Sequence, residues 1–415
     1  MPRRHRPDPI SGSLQKKLGG EGVGPWHAVL GKKLLNAVIG LLMVALPLDI
    51  LKKKQRKAFI TGLLGAALRA SSLNAVPSLF RNALSGRRLR ELAAVLDFRK
   101  LRFAAHRILQ SGLRVVLIGL SLYLAIDYTT VPYYGKPHKR KTELIRKKAE
   151  RGTANHHAYA TIYVILAGHR FTLAVIPVRS RKDTALVTVV LALIREARWC
   201  GIRIRCLFLD REFCIVSVQK ALQARHLPYC MSVKQQGAIH GVKAQVRKNK
   251  KKATKMAFTW SNSRGETVTA DLYIVRRNAR AGTGRTKTQY YTYVLWRISM
   301  SPKQVREFYR KRFGIESTYR MYDAIRGRTS TRNPALRYMY VIVAFTILNQ
   351  WTLTKYATYA KKQRGPRTVD ENRLRLKKYV ELLFRALELV LGTVRDITVY
   401  GTVPDLYRKT IGYRR

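Results

Sequence analysis

Acidic residues are scarce in this chain. Its 415 residues include 23 Asp and Glu against 81 Lys and Arg, which gives a formal net charge of +58. The sequence pI is about 11.0. This excess of cations favours a polyanionic partner, because each Lys or Arg that neutralises a phosphate releases counterions. Composition alone leaves open a ribosomal or chromatin-like protein, and an anionic membrane surface as the partner.

Cysteines and long apolar runs are also scarce. The four cysteines form no C-x-x-C pair and have no histidine at zinc-ligand spacing, so we expect core thiols in a reducing cytoplasm. No cleavable apolar segment follows the basic start of the chain, and a signal peptide is not expected. The apolar stretches 34–50 and 338–353 are too short or too interrupted to span a bilayer, which predicts buried helices and no membrane partner.

The chain is apolar enough to be globular, with 47% apolar residues, and long enough for two or more compact units. Residues 1–120 combine helical periodicity with many basic side chains, which predicts a helical, DNA-binding region. Within it, residues 55–69 and 87–96 are predicted as amphipathic helices with basic faces.

From residue 121 the pattern changes to strands. The order strand, strand, strand, helix, strand, helix, strand predicts an α/β fold, a mixed sheet with helices on its faces. We assign this unit to residues 121–237 and 298–360. Residues 238–297 are predicted as a β-rich basic insertion, and residues 361–415 as a C-terminal helical region.

Three acidic residues stand where a site is expected. Asp127 and Asp210 each end an apolar strand, and Glu316 lies in a helix predicted to run from Ser301 to Arg326, which Gly314 could bend. A carboxylate at the tip of a buried strand costs desolvation free energy unless a cation meets it. Carboxylates from separate segments can share two hard divalent ions, which activate the attacking oxygen and stabilise the leaving oxygen of a phosphodiester.

Each of these acids also has a purely structural interpretation. An Asp at a strand end is often a turn former or a helix cap, and Glu316 could pair with Arg312 or Arg320. Tyr309, Arg312 and Glu316 fall on one face of the predicted helix. Glu212, close to Asp210, is expected to begin the following helix and not to be a ligand.

Three motifs make the pattern more specific. They are residues 126–135 around the first acid, residues 207–213 around the second, and Tyr309-x2-Arg312-x3-Glu316 around the third. Together they resemble prokaryotic insertion-sequence transposases of the DDE class, in the branch with an RNase H-like catalytic domain and a β-strand insertion. The resemblance covers roughly residues 120–350.

The resemblance has one clear departure. The family expects a lysine seven residues after the glutamate, where this chain has Asp323. Arg320, on the same helical face as Glu316, is the substitute we expect for its DNA contact.

The resemblance implies metal-dependent cleavage at transposon ends, followed by attack of the freed 3′-hydroxyl on target DNA. Asp127 would bridge two Mg²⁺ ions, for which Mn²⁺ can substitute, and Asp210 and Glu316 would each complete one ion site. Tyr309 and Arg312 would position the DNA backbone near the cleaved bond.

The resemblance and the charge pattern suggest further DNA contacts. Lys136, which follows Tyr133 and Tyr134, is a candidate beside the first acid. Relatives that form a hairpin use an aromatic residue of the insertion to hold a flipped base, since stacking tolerates any base. Trp296 or Trp260 could serve here, although each is also typical of sheet core.

The expected partner is therefore double-stranded DNA, both the terminal inverted repeats and the target, bound by a homodimer in the synaptic complex. The expected location is the prokaryotic cytoplasm, at the nucleoid. Two alternatives remain: a metal-dependent nuclease or resolvase, which would cut without joining, and a catalytically inactive basic nucleic-acid-binding protein.

Overall fold

The structure, a computed structural model, describes residues 26–136, 144–150, 152–166, 169–180, 182–249, 251–280, 286–312, 314–361, 368–370 and 372–393. Predictions for the basic start of the chain, for the turns near residues 167 and 282, and for the end of the C-terminal region lie outside the described residues.

The chain combines a helical start with a strand-rich middle. The helices are α1 (Trp26–Ala45), α2 (Lys53–Leu68), α3 (Val76–Leu79), α4 (Gly86–Ala94), α5 (Phe98–Gln110), α6 (Arg114–Leu117), α7 (Asp183–Trp199), α8 (Val216–Gln223), α9 (Val242–Lys248), α10 (Val305–Arg310), α11 (Gly314–Ala324), α12 (Pro334–Tyr359) and α13 (Leu376–Leu391). The strands are β1 (Ser121–Pro132), β2 (Ile145–Glu150), β3 (Thr153–Leu166), β4 (His169–Val178), β5 (Arg203–Leu209), β6 (Tyr229–Ser232), β7 (Ala253–Ser261), β8 (Thr267–Arg280), β9 (Thr286–Trp296), β10 (Ala360–Lys361) and β11 (Thr368–Val369).

Nine of these strands form one mixed sheet. Its order is β2-β3-β1-β5-β6-β9-β8-β7, and β4 pairs with the same edge of β3 as β2 does, farther along that strand. β1, β5 and β6 run parallel, while β3, β4 and β9 run antiparallel to their neighbours. The predicted RNase H-like α/β fold is confirmed: four antiparallel strands come first, and two crossover helices, α7 and α8, then add parallel strands.

The strands of the predicted insertion lie in this same sheet. β9 pairs with β6, β8 pairs with β9, and β7 forms the far edge. The basic tract before β7 is partly helical, since α9 covers Val242–Lys248. The division of the chain into four regions stays a prediction.

Helices cover the sheet and bury most of its apolar surface. α12 is buried along nearly its whole length, as its apolar sequence predicts, and Asn333 caps its start by accepting from the backbone N–H of Ala335 at 2.8 Å. The helix predicted at residues 55–69 is present as α2, but its predicted basic face is not, because Phe59–Leu68 are all buried. α4 fits its prediction, with Leu89 and Leu92 buried and arginines exposed.

The helix predicted from Ser301 to Arg326 forms as two helices. α10 begins only at Val305 and ends at Arg310, and α11 starts at Gly314, the residue at which a bend was expected. A Cβ at Gly314 would meet the guanidinium of Arg170 on β4. The two helices therefore do not share the continuous face that the sequence predicted.

Among the described residues, no single helix is long and apolar enough to cross a membrane, and one bent pair, Lys53–Leu68 with Leu73–Leu79, passes on length and composition alone. The four cysteines carry free thiols; three are buried and Cys214 is partly buried.

Candidate active site

Asp127 and Asp210 lie side by side because their strands are parallel neighbours. In the β1–β5 ladder, Ile126 pairs with Leu209, which is the last residue of β5. The next residue after each of these two is an aspartate. β5 ends there in a short 3₁₀ turn, Arg211–Phe213, whereas β1 continues in its pairing with β3. The sheet thus places two carboxylates at the position where one strand stops.

Arg312 joins the two carboxylates. Its Nη2 lies 2.6 Å from Oδ2 of Asp127 and its Nη1 lies 3.6 Å from Oδ1 of Asp210. The arginine side chain is only 8% exposed, against 14% for Asp127 and 31% for Asp210. The Tyr163 hydroxyl donates to the backbone carbonyl of Arg312 at 2.9 Å, which holds the arginine over the sheet. A cation therefore lies between the two aspartates, as their desolvation requires.

Burial has the largest effect on the pKa of Asp127. It raises the pKa of Asp127 to about 6, although the guanidinium of Arg312 and the N–H of Tyr128 oppose the shift. The negative charges of Asp210 and Glu212 push the pKa further upward. These contributions show that several carboxylates converge at this end of the sheet.

A cavity of about 200 Å³ opens onto the same carboxylates. Asp127, Asp210 and Glu212 line it, together with Lys147 of β2, whose Nζ donates to Thr130 Oγ1 at 2.8 Å. The sequence pattern favoured Glu212 as the start of a helix and not as part of the site. Its position two residues after Asp210 in a 3₁₀ turn brings it into the cavity, and this turn was not predicted.

Tyr309 holds the end of β5, directly before Asp210. The Tyr309 hydroxyl donates to the carbonyl of Leu209 at 3.1 Å, and the residue is 2% exposed. Its ring packs on Tyr293 of β9, with centroids 5.1 Å apart. In this position the side chain fixes the end of β5, and its predicted contact with DNA stays a prediction.

The helix that carries Glu316 begins two residues after Arg312. α11 is tied to the sheet beside Asp127: the Tyr319 hydroxyl lies 2.7 Å from Oγ1 of Thr161, which is the β3 residue paired with Asp127. The structure thus brings the segment of the third acid to the first two. The role of Glu316 as a ligand stays a prediction.

The remaining predicted DNA contacts are spread apart. Arg320 is exposed on α11, and Lys136 is exposed in the loop after β1. Trp296 is stacked on Tyr229 of β6, its partner in the sheet, with ring centroids 6.1 Å apart. Trp260 packs edge-on against Phe258. Both tryptophans thus make sheet contacts, and their role towards DNA stays untested.

A larger cavity, of about 430 Å³, lies next to Asp210 and was missed from the sequence. Arg211, Lys234, Tyr290 and Tyr291 line it, and the Gln235 amide donates to the Tyr290 carbonyl at 2.7 Å. The basic and aromatic character of β9 was visible in the sequence. Its pairing with β6, which brings these tyrosines beside the carboxylates, was not.

The donor set fits a hard divalent cation. Asp127 and Asp210 offer carboxylate oxygens, the ligands that Mg²⁺ prefers, and they already share one cation in Arg312. No group of three His, Cys, Asp or Glu side chains in the described part of the chain is arranged to hold a metal.

A mixed sheet with adjacent carboxylates on parallel strand ends defines a class of phosphoryl-transfer enzymes that use divalent ions. The family model described as transposase DDE domain matches residues 120–350. The chain belongs to this family and is a DNA transposase, an enzyme of the DDE class. The family generally uses divalent metal ions.

One solved structure extends the likeness in fold. The chain is similar to the piggyBac transposase in a cryo-EM structure of its synaptic complex with hairpin DNA, with 13% sequence identity and a TM-score of 0.51. The match covers 92% of this chain and 88% of the other. No curated protein matches this chain significantly.

Proposed function

We propose that this transposase cuts DNA at the ends of its element and joins the freed 3′-hydroxyl to target DNA, with two Mg²⁺ ions held by Asp127, Asp210 and Glu316. The observation that carries the proposal is the pairing of Asp127 and Asp210 through Arg312 at adjacent strand ends. An insertion-sequence origin is part of the same proposal.

Each residue of the site has a role in this reaction. Asp127, Asp210 and Glu316 are the residues that would hold the two ions. Bound divalent ions activate the attacking oxygen and stabilise the leaving oxygen of the phosphodiester. Arg312, released from the carboxylates, offers its planar fork to a phosphate oxygen of the strand being cut. Tyr309 holds the end of β5 and so fixes Asp210.

The partner is duplex DNA, as terminal inverted repeats and as target. The net charge of +58 supports this choice, because phosphate contacts supply most of the affinity of such a basic chain. We also propose a homodimer on DNA, since two ends must be brought together before joining, and a prokaryotic cytoplasm as the location. The synaptic complex of piggyBac transposase is consistent with such pairing of ends.

The cavity of about 430 Å³ is relevant to the prediction that an aromatic residue holds a flipped base. Tyr290 and Tyr291 line it, whereas Trp296 is stacked within the sheet. If the reaction passes through a hairpin, these tyrosines are better placed than Trp296 to stack on an unpaired base. Removal of either ring tests this by its effect on hairpin yield.

A cleavage and joining assay tests the proposal. Purified protein, Mg²⁺ and a linear DNA that carries both inverted repeats flanking the coding region are incubated with a supercoiled target plasmid. We expect cuts at the repeat ends and products in which an end is joined to the plasmid. Cleavage without joined products would indicate a nuclease or resolvase. DNA binding without cleavage, in Mg²⁺ and in Mn²⁺, would indicate an inactive binder.

A further inference from the structure

A second charged cavity lies away from the carboxylates, on the outer side of β4. It has a volume of about 300 Å³ and opens between α5 and α7. Three arginines line it: Arg99 and Arg102 from α5, and Arg195 from α7. We call this the α5–α7 cleft. It was not predicted from the sequence, because α5 belongs to the N-terminal helical region and α7 to the strand-rich unit.

Positive charge dominates the α5–α7 cleft. Arg99 and Arg102 form no ion pair with any carboxylate among the described residues, and Arg195 lies 3.5 Å from Glu196. Glu196 is also 3.2 Å from Nδ1 of His106, whose pKa is lowered by burial. Three guanidinium groups thus face one carboxylate, which leaves an excess of exposed fork-shaped donors that match phosphate oxygens.

The walls of the cleft are held in place by buried hydrogen bonds. Nε2 of Gln110, at the end of α5, donates to the carbonyl of Glu196 on α7 at 2.9 Å and to that of Leu173 on β4 at 3.2 Å. The Tyr338 hydroxyl on α12 donates to the carbonyl of Val175 at 2.6 Å. The two helices are therefore fixed to the same strand, and the arginines are presented on a preformed surface.

The carboxylate cavity extends towards the start of α5. Ala158 and Val178 line that cavity and also a small neighbouring one, which Phe98 and Arg179 line as well. Cζ of Arg179 lies 5.6 Å from the centre of the Phe98 ring, and Phe98 directly precedes Arg99. Arg179 thus lies on the path between the carboxylate cavity and the α5–α7 cleft.

The length of this path matches a few base pairs. Asp127 pairs with Thr161 on β3, and Thr161 pairs with Val175 on β4, so Val175 of the cleft lies two strands, about 10 Å, across the sheet from Asp127. Successive phosphates of one DNA strand advance about 3.4 Å along the duplex axis. A duplex with a phosphate at Asp127 and Asp210 would bring a phosphate about three base pairs away to the three arginines.

We propose that the α5–α7 cleft is a second phosphate-binding site for the DNA duplex that occupies the active site, about three base pairs from the bond that is cut. The proposal rests on the proposed function. It assigns α5 a direct part in DNA binding, and it makes Arg99, Arg102 and Arg195 contacts that add affinity and orientation without reading sequence.

Salt-dependent binding tests the cleft. The triple variant Arg99→Ala, Arg102→Ala, Arg195→Ala is compared with wild type and with a control, Arg90→Ala, Lys377→Ala, Lys378→Ala, which removes three exposed cations from α4 and α13. Binding of a short fluorescent duplex is followed by anisotropy over a range of salt. We expect the slope of log K against log salt to fall by about 2 to 3 in the cleft variant, and its affinity to fall about tenfold or more.

The control separates a local contact from a general loss of charge. It should keep a slope close to that of wild type, and all three proteins should show the same thermal unfolding. A cleft variant that binds with the slope and affinity of the control would overturn the proposal.

Position is tested with single methylphosphonate substitutions placed along the duplex. In wild type, a neutral linkage about three base pairs from the cleavage site should weaken binding, and in the cleft variant it should have no further effect. An equal penalty in both proteins would overturn the assignment. If wild type cuts and joins DNA but the cleft variant binds like the control, only the phosphate-binding role of the cleft is refuted. If the cleft variant has a lower salt slope but wild type does not cut DNA, only the proposed function is refuted.

Discussion

The two charged regions of this protein hold their charges in different ways. At the carboxylate end of the sheet, Asp127 and Arg312 are buried and paired, and each is held by neighbours on several strands. In the α5–α7 cleft the arginines are exposed and mostly unpaired with carboxylates. Buried charges are costly and therefore few and fixed in position, whereas exposed cations cost little and act additively.

This difference separates chemistry from affinity. Changes of the two aspartates should alter cleavage while DNA affinity is kept. Changes in the cleft should alter affinity and its salt dependence while the chemical step is kept. Variants at both places test that separation.

The largest effect is expected from the aspartates. Asp127→Asn and Asp210→Asn each keep the shape of the side chain but remove a charged metal ligand. Cleavage should fall by more than about 1,000-fold, because metal stabilisation of the transition state amounts to several kcal/mol. DNA affinity should stay within about twofold, since neither residue neutralises a phosphate. Single-turnover cleavage and anisotropy measure the two, with exposed Asp49→Asn as the control. A joint loss of binding and cleavage would contradict the separation.

Arg312→Gln should have the next largest effect. It leaves two carboxylates at the strand ends without a cation, which should lower the free energy of unfolding by about 3 kcal/mol in metal-free buffer. Mg²⁺ should recover part of this loss, because a divalent ion can take the place of the guanidinium. Arg310→Gln, two residues away and paired only with exposed Glu307, should cost less than about 1 kcal/mol.

Urea unfolding with and without Mg²⁺ measures both arginine variants. A deficit in Arg312→Gln that Mg²⁺ leaves unchanged would argue against a cation site between Asp127 and Asp210.

His157 should make the folding stability of the protein sensitive to acid. Burial, and then the charge of Arg337, lowers the pKa of His157 to about 4 from an ordinary 6.5. Below pH 6.5 His157 takes up a proton in the unfolded chain but not in the folded protein. The contribution of neutral, buried His157 to the free energy of unfolding is therefore full above pH 6.5 and is lost as pH falls towards 4. At about pH 5 the loss should be roughly 2 kcal/mol.

His157→Gln should remove that part of the pH dependence. Urea unfolding between neutral pH and pH 5 gives the difference between the two proteins. Equal acid sensitivity in both would show that another group is responsible. Salt should govern the contribution of the arginines of the α5–α7 cleft to DNA affinity.

Tyr309→Phe should give the smallest effect. It removes the hydrogen bond to the Leu209 carbonyl and should cost about 1 kcal/mol of stability, with a modest fall in the cleavage rate as Asp210 loosens. Because the residue is 2% exposed, DNA affinity should not change. A clear loss of affinity would instead support the DNA contact that the family signature implies for Tyr309.

Local sequence patterns predicted much of this fold. The order of strands and helices from residue 121 was predicted, and the two strand ends that carry Asp127 and Asp210 were located from their apolar runs. These features depend on periodicity within a short segment. The adjacency of the aspartates depends on the pairing of β5 with β1, although three strands and a helix separate them along the chain.

Other features depend on contacts between distant segments and could not be predicted. The burial of Tyr309 reflects its contact with Leu209, and Trp296 stacks on Tyr229 because β9 joins β6. Glu212 enters the cavity through a 3₁₀ turn that has no clear sequence signature.

The most direct measurement is diffraction from crystals of the protein with an uncleavable end duplex and Mn²⁺, using the anomalous signal of the metal. We predict a Mn²⁺ peak about 2 Å from carboxylate oxygens of both Asp127 and Asp210, with the Arg312 guanidinium displaced towards a phosphate. Manganese bound only elsewhere, with Arg312 still bridging the two aspartates, would contradict the account.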